Sequence, residues 1–267
     1  MKTELSIIIP CLNEEYLGLT LQDILSHSAA EIIVILDGWR PNYELPKDKR
    51  IKYVALPKTV GQRKATNIGA RESKSKYVMK CDAHVSFAQG FDRALCGAMD
   101  DRTVMAPMLM RLNARFWNII PKPFTKKYYF DTALVFQYAE EQKDSWGLVE
   151  TMALQGSCFI VSREKYWEWR LCDEKYGSWG GQGVEVACKT WFKGGRVVTN
   201  TETFYGHLFR GAGQSVPVIP YERLIEEKQT KVRVKELLRD PKMPWLIEKF
   251  NYPCGWTKEK VKELCVS

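Results

Sequence analysis

The sequence predicts an α/β fold, in which a Rossmann-like, mostly parallel central sheet is flanked by helices and followed by a short helical extension. Along roughly the first 80 residues, short runs rich in Ile and Val alternate with segments of helical periodicity, the order typical of a parallel sheet. From about Gln214 the pattern changes, and prolines punctuate short charged helices. We therefore expect a domain over residues 1–214 and a helical extension over residues 215–267.

The first part of the chain supplies four predicted strands and two helices. The strands are apolar runs that end at a proline or another turn or polar residue: 5–10, 31–38, 50–56 and 76–83. Asn13 can cap the first helix, whose leucines recur at helical spacing, and residues 61–73 form the second. Because ligands lie beyond the carboxyl ends of parallel strands, we expect Asn13, Asp37 and Asp82 to face one crevice.

The later part mixes short strands with one irregular segment, residues 111–130. The predicted strands are 103–110, 130–138, 156–162 and 196–200. Residues 163–170 are expected to be helical, and a glycine-rich loop leads into a further helix within residues 175–195.

Cysteine usage and hydropathy bear on location. The eight cysteines include no CxxC pair and several lie in apolar runs, which favours reduced core thiols over a disulfide framework. No apolar run reaches the roughly 18 residues that span a bilayer, and the N-terminal run is too interrupted for a signal peptide. We expect a cytoplasmic protein without membrane insertion.

The net charge of +8 and the pI near 9.0 favour a polyanionic partner, nucleic acid first. Residues 111–130 interleave basic and aromatic side chains, as a surface that binds nucleic acid strands does. The alternative is that these aromatics are core residues, that the lysines are simply solvated, and that the charge indicates no partner.

Asp82 and His84 follow a buried strand and lie two residues apart, so on extended backbone their side chains point the same way. With the distant His207 they would form a three-ligand metal site that leaves positions open for substrate oxygens. A mixed oxygen and nitrogen set suits Mn²⁺, with Mg²⁺ and Zn²⁺ as alternatives. Spacing alone also fits histidines with ordinary core or surface roles.

Five motifs follow one another in a recognisable order: SIIIPCLNE, ILDG, KCDAH, WGGQGVE and YGHLFR. In order and rough spacing they resemble those of family 2-like nucleotide-sugar glycosyltransferases with the GT-A fold, most closely the polypeptide N-acetylgalactosaminyltransferases. The resemblance covers about residues 3–212. It implies a GT-A fold, a UDP-sugar donor and a Mn²⁺ ion.

The resemblance also implies roles for single residues. Asp82, His84 and His207 match ligands of a Mn²⁺ ion that bridges the donor's two phosphates. The other matches are contacts to the donor: Pro10 to Asn13 and Asp37 at the nucleoside, Lys58 or Arg63 at the same nucleotide, Trp179 at the sugar and leaving phosphate, and Arg210 at the pyrophosphate. The glycine-containing segment after Arg210 resembles a mobile lid.

The chain departs from the family pattern at Gln182 and Gly183, where the family has glutamate and asparagine. Gln182 cannot accept a proton as a base would, so an inverting mechanism lacks its expected base there. Glu185 matches another acidic position and is the carboxylate of this motif that can orient an acceptor hydroxyl. We therefore favour a retaining mechanism, in which the donor's own phosphate takes the acceptor proton, over an inverting one.

The acceptor is inferred from charge and from the resemblance to small phage and bacterial transferases. Some phage enzymes of this general type glycosylate hydroxymethylated pyrimidines in DNA, which makes such DNA the leading acceptor. Glycans, lipid-linked acceptors and proteins are the alternatives. A different class of function, a non-catalytic nucleic-acid-binding module on a degenerate transferase fold, fits the intact Asp82, His84, His207 and Arg210 less well.

Overall fold

The computed structural model describes residues 4–139, 146–209, 230 and 232–265. It has an α/β fold with a central sheet flanked by helices, as the sequence predicts. The strands within the described ranges are β1 (Leu5–Cys11), β2 (Glu31–Leu36), β3 (Ile51–Ala55), β4 (Tyr77–Cys81), β5 (Val85–Phe87), β6 (Thr103–Asn113), β7 (Asn118–Thr125), β8 (Tyr128–Phe130), β9 (Phe136–Tyr138), β10 (Leu148–Glu150), β11 (Cys158–Ser162) and β12 (Arg196–His207).

The helices lie between and after these strands. Those with both ends in the described ranges are α1 (Leu17–His27), α2 (Gln62–Glu72), α3 (Phe91–Ala98), α4 (Arg163–Glu168), α5 (Gln182–Phe192), α6 (Met243–Lys249) and α7 (Lys258–Cys265). Two short 3₁₀ helices span Glu174–Tyr176 and Lys235–Arg239. Helix α1 begins at Leu17 after Tyr16, so Asn13 does not cap it and instead adopts a left-handed φ of 51°.

The first four long strands form the parallel half of the sheet, in the order β3-β2-β1-β4. Strand β1 is buried on both faces, which its run of isoleucines predicts for the centre of a helix-covered sheet. Helix α2 packs on this half, where Gly69 lets its backbone approach Ile8 closely. The carboxyl ends of β1 and β4 therefore open at the same edge.

The second half makes the sheet mixed. Strand β11 pairs antiparallel with both β4 and β6, and β12 then pairs parallel with β6. The main path through the sheet is β10-β12-β6-β11-β4-β1-β2-β3, with β5 paired to β12 and β7 paired to β6 beside it. Because β12 runs beside β6, it carries His207 to the same edge as the end of β4. The predicted parallel sheet thus describes the first half, and the reversed β11 joins it to the second.

The basic and aromatic segment 111–130 divides into two parts. Its first part completes a β6–β7 hairpin, in which Phe116 is 68% exposed. Its last part enters the core, because Tyr128 and Phe130 are fully buried. For β8 the alternative of buried core aromatics is therefore correct, while the nucleic acid-binding surface over the rest of the segment stays a prediction.

The C-terminal helices pack on the core. Met243, Leu246 and Ile247 of α6 are buried in the main hydrophobic cluster. Trp256 is also buried there, and its indole Nε1–H donates to the Phe130 carbonyl at 3.1 Å. This agrees with a helical extension, while the predicted boundary at 214 lies outside the described residues. Among the described helices, none is long and apolar enough to cross a membrane.

Candidate active site and metal centre

Three predicted metal ligands meet at the carboxyl edge of the sheet. Asp82 directly follows β4, His84 precedes β5, and His207 is the last residue of β12. Strand β5 pairs with β12 so that Val85 lies opposite His207, and this pairing brings the two histidines together. Their ring centroids lie 5.0 Å apart.

The ligand atoms of these side chains lie within 4.8 Å of one another. His207 Nε2 is 3.3 Å and His84 Nε2 is 3.8 Å from the same oxygen, Oδ2 of Asp82. Two ligands bound to one ion at about 2.1 Å and at right angles lie about 3 Å apart, so only small shifts are needed to coordinate one cation.

The other oxygen of Asp82 is already engaged. Oδ1 accepts hydrogen bonds from the Lys80 ammonium and, at 3.3 Å, from the Gln62 amide. Burial favours a raised pKa for Asp82, but the Lys80 ammonium, the His207 hydrogen bond and both imidazoles outweigh it and hold the pKa well below its usual range. Asp82 is therefore a carboxylate at neutral pH with Oδ2 facing the histidines.

Both imidazoles are suited to ligate through Nε2. His84 Nδ1 lies 3.2 Å from Glu14 Oε2, and a carboxylate on the far nitrogen fixes the ring and its tautomer. Burial lowers the pKa of His207, although the Asp82 hydrogen bond acts in the opposite direction. His207 Nδ1 is buried without a hydrogen-bond partner in the described part of the chain. A neutral imidazole is what a metal requires, so these residues fit a divalent cation.

The cluster lies on the floor of a cavity of about 370 Å³. Opposite walls come from the turn and strand that hold Leu134, Phe136 and Tyr138, and from the glycine-rich loop before α5. Burial raises the pKa of Tyr138 to about 12, with Arg111 opposing the shift, so its phenol is a neutral donor. The cavity thus combines an anionic and imidazole floor with an apolar wall.

Two predicted residues of the WGGQGVE motif line the cavity. Trp179 lies on its wall, and its carbonyl accepts a 2.8 Å hydrogen bond from Thr230. Gln182 begins α5, donates to Cys172 Sγ at 3.2 Å, and leaves its buried Oε1 without a partner among the described residues. A Cβ at Gly183 would lie 1.9 Å from the Leu154 carbonyl oxygen, which explains why no asparagine stands there.

Glu185 and Arg63 have a different role from the one predicted. Both side chains are fully buried, and Arg63 Nε lies 3.2 Å from Glu185 Oε2. The Arg63 guanidinium also donates to the carbonyls of Gly177 and Gly180, on either side of Trp179. Neither residue lines the cavity. The prediction that Glu185 orients an acceptor and that Arg63 reaches the nucleotide is therefore corrected: the pair holds the Trp179 loop.

The predicted nucleoside contacts are only partly gathered. Pro10 lines the cavity. Asp37 is buried, and its two carboxylate oxygens accept from the backbone N–H groups of Val60 and Gly61, so it braces the turn before α2. Asn13 and Lys58 are exposed and do not line the cavity, so the one crevice predicted for Asn13, Asp37 and Asp82 forms around Asp82 alone.

Arg210 and the predicted lid after it lie outside the described residues.

Sequence reasoning missed Glu14, Lys80 and Gln62. Lys80 shares a strand face with Asp82 because the two are two residues apart, and that spacing is a usable signal. Glu14 follows β1 at the same sheet edge, so its position was equally available. Gln62 had no such signal, because its contact depends on how α2 packs against β4.

Comparison with known proteins shows which family of sequences the chain matches. The sequence model for "Glycosyl transferase family 2" matches residues 6–170. The chain is 24% identical over 233 residues to N-acetylgalactosaminyltransferase 6 of Drosophila melanogaster, covering 79% of this chain and 35% of the relative. It is 25% identical over 231 residues to human polypeptide N-acetylgalactosaminyltransferase 3, covering 77% and 36%. The chain thus spans roughly a third of these relatives.

Solved structures agree on the fold. One is GalNAc-T7 with UDP, GalNAc and Mn²⁺, with a TM-score of 0.70 and 22% identity over 91% of this chain and 48% of that chain. Another is Staphylococcus aureus TarS 1-349 with UDP-GlcNAc, with a TM-score of 0.56 and 13% identity over 99% of this chain and 71% of that chain. These likenesses establish a shared GT-A fold.

Proposed function

The chain belongs to glycosyl transferase family 2, and on that premise we propose that it transfers a sugar from a UDP-sugar to a hydroxyl acceptor with the help of a divalent cation, Mn²⁺ first. The observation that carries this proposal is the Asp82, His84 and His207 cluster on the cavity floor. The match to relatives named N-acetylgalactosaminyltransferases favours a UDP-N-acetylhexosamine among the donors.

In this proposal Asp82, His84 and His207 hold the cation, which would act as a Lewis acid for the departing diphosphate. Lys80 adds a fixed positive charge beside the carboxylate, where leaving-group charge develops. Trp179 covers the sugar and leaving phosphate from the cavity wall. Arg210, predicted to bind the pyrophosphate, remains part of the proposal on its motif alone.

We propose that the anomeric configuration is retained. Gln182 cannot serve as a base, and Glu185 is buried in an ion pair, which removes the other candidate base of that motif. Retention then relies on the donor phosphate to accept the acceptor proton. NMR coupling of the anomeric proton tests this directly: an α-linked product from an α-linked donor supports it, and a β-linked product overturns it.

The metal assignment is tested with Asp82→Ala and His207→Ala. Each removes one ligand, so Mn²⁺ binding by calorimetry and UDP release should both fall to background at a temperature at which far-UV circular dichroism shows the variant to be folded. His27→Ala is the matched control, because His27 pairs with Asp23 on α1 rather than with the cluster. Near-normal turnover in either ligand variant would overturn the assignment.

For the acceptor we propose hydroxymethylated pyrimidine in DNA, supported by the β6–β7 hairpin. Residues 103–130 contain no Asp or Glu. Arg111, Arg115 and Lys122 are exposed and form no ion pair within the described ranges. The hairpin is rooted at the cavity, because Phe209, which lines it, packs on Phe124 at 4.9 Å. A phosphate backbone on this hairpin would bring a base to the cavity mouth.

The DNA proposal predicts salt-dependent binding. Arg115 and Lys122 are both changed to glutamate. The slope of the logarithm of the DNA-binding constant against the logarithm of salt concentration should become shallower by about 0.9 for each duplex phosphate that is no longer neutralised. UDP affinity should not change. The matched control is the same reversal at Lys258 and Lys260 of α7. Lys126 is unsuitable, because it is buried against the Trp146 ring at 4.5 Å.

A protein acceptor is the second candidate, favoured by the polypeptide-transferase names of the matched relatives. Labelled sugar transfer to hydroxymethylcytosine DNA, hydroxymethyluracil DNA and unmodified DNA decides between them. Transfer to modified DNA alone supports the DNA acceptor. Background labelling of all three together with transfer to serine- and threonine-containing peptides overturns it.

The cytoplasmic location inferred from cysteine usage remains a prediction, for which the free thiols are the support.

A further inference from the structure

Lys80 is an unusual residue to find beneath a candidate metal site. Its side chain is 1% exposed, and its ammonium contacts Asp82 Oδ1 and, at 2.6 Å, the Gly156 carbonyl. An isolated buried charge costs several kcal/mol, so it persists only where it is paired. Within the described residues, Asp82 is the carboxylate that pairs with it.

The ammonium is also left incompletely bonded. A lysine has three N–H donors, and Asp82 and Gly156 accept two of them. In the described part of the chain no further acceptor contacts Lys80, although the residue lines the cavity. One N–H thus remains to serve an oxygen of a bound ligand.

The net charge around Asp82 changes when a cation or a diphosphate binds in the cavity. Without ligand, the Lys80 ammonium offsets the negative charge of Asp82, so a dication at Oδ2 would meet a carboxylate that is already paired. A diphosphate brings several negative charges, which attract both the ammonium and the dication. A diphosphate oxygen that accepts the remaining N–H of Lys80 would draw the ammonium's charge away from Asp82. The metal would then bind weakly alone and more tightly with the diphosphate, and reciprocity requires that the diphosphate gain equally from the metal.

We propose that Lys80 is a positioning residue and a counter-ion shared between Asp82 and the diphosphate, and that this sharing makes cation binding and diphosphate binding depend on each other. This rests on the proposed function, because it takes the cation and the UDP moiety as ligands of this cavity. Lys80 and Gln62 also occupy Asp82 Oδ1, which leaves Oδ2 as the oxygen available to a metal.

The test measures Mn²⁺ binding by electron paramagnetic resonance, with and without UDP, on wild-type protein and Lys80→Met. Removing the ammonium leaves Asp82 unneutralised, so Mn²⁺ alone should bind at least about tenfold tighter. The factor by which UDP tightens Mn²⁺ binding should shrink by a similar amount, and UDP should bind more weakly. Should Lys80→Met not fold, Lys80→Gln makes the same charge change with a polar side chain.

Gln62→Met is the matched control, because it removes a neutral donor from the same Asp82 oxygen without a change in charge. Its UDP coupling factor should stay within about threefold of wild type. Coupling that falls equally in both variants means that side-chain positioning alone is at work, which overturns the counter-ion role. Coupling unchanged in Lys80→Met overturns it as well. If wild-type protein binds neither Mn²⁺ nor UDP, the proposed function itself fails.

Discussion

Glu185→Gln separates a structural role for this carboxylate from a catalytic one. The wild-type side chain is fully buried and accepts from Arg63 Nε at 3.2 Å and from the Asp173 backbone N–H at 2.9 Å, with Lys189 Nζ at 3.1 Å. Glutamine keeps the size and one acceptor oxygen but leaves the Arg63 charge without its counter-ion. Breaking one side of a buried pair costs about 3–5 kcal/mol, and the retained acceptor favours the lower end.

At about 2–4 °C per kcal/mol for a protein of this size, a loss of about 3 kcal/mol lowers Tm by about 6–12 °C. Differential scanning calorimetry measures that shift. Glu44→Gln is the matched control: Glu44 pairs with Lys47 at 2.9 Å, but both side chains are largely exposed, so the change should cost less than about 1 kcal/mol.

The structural role is refuted if Glu185→Gln keeps the wild-type Tm and yet abolishes transfer. That result would mean that the carboxylate acts on the acceptor, as the motif suggested, rather than on Arg63. Under the structural role, transfer assayed well below the lowered Tm should persist, because Arg63 still donates to the carbonyls of Gly177 and Gly180. The KM for the donor should rise, because the pair that holds the Trp179 loop is broken.

Two further perturbations follow from packing and burial. Gly183→Ala should prevent recovery of folded protein, since its Cβ would lie 1.9 Å from the Leu154 carbonyl oxygen. Gly97→Ala is the control, because a Cβ there has nothing within 4 Å, and it should express and melt like wild type. Equal yields of the two variants would refute the clash. Burial lowers the pKa of His207, so as pH falls below about 6.5 the unfolded metal-free chain binds a proton that the folded chain does not. The free energy of unfolding, measured in urea with chelator, should therefore decrease as pH falls. A flat profile, or the same slope in His207→Asn, would contradict this.

Much of the fold was predictable because it depends on local patterns. The isoleucine run of β1 and the strand-ending Asp82 indicated a helix-covered sheet and its functional edge. The antiparallel β11 was not predictable, since an apolar run of five residues carries no sign of its direction. The direction is set by pairing with β4 and β6, which are distant in sequence.

The candidate site divides in the same way. Asp82 and His84 were found from a spacing of two, and His207 from its motif. The surroundings of Asp37 and Glu185 could not be predicted, because a carboxylate in a motif looks the same whether it faces a ligand or a backbone amide. Only tertiary packing shows that Asp37 accepts from Val60 and Gly61 and that Glu185 meets Arg63, which lies 122 positions earlier.

The central claim, a metal-dependent transferase built on Asp82, His84 and His207, is tested most directly by UDP release from a panel of UDP-sugars. The protein is first stripped with chelator, and Mn²⁺ is then added back in steps. We predict no release from the stripped wild-type protein, a saturable rise with Mn²⁺, and no rise at any Mn²⁺ concentration in Asp82→Ala. Full release from the stripped protein, or a wild-type response in Asp82→Ala, would contradict the claim.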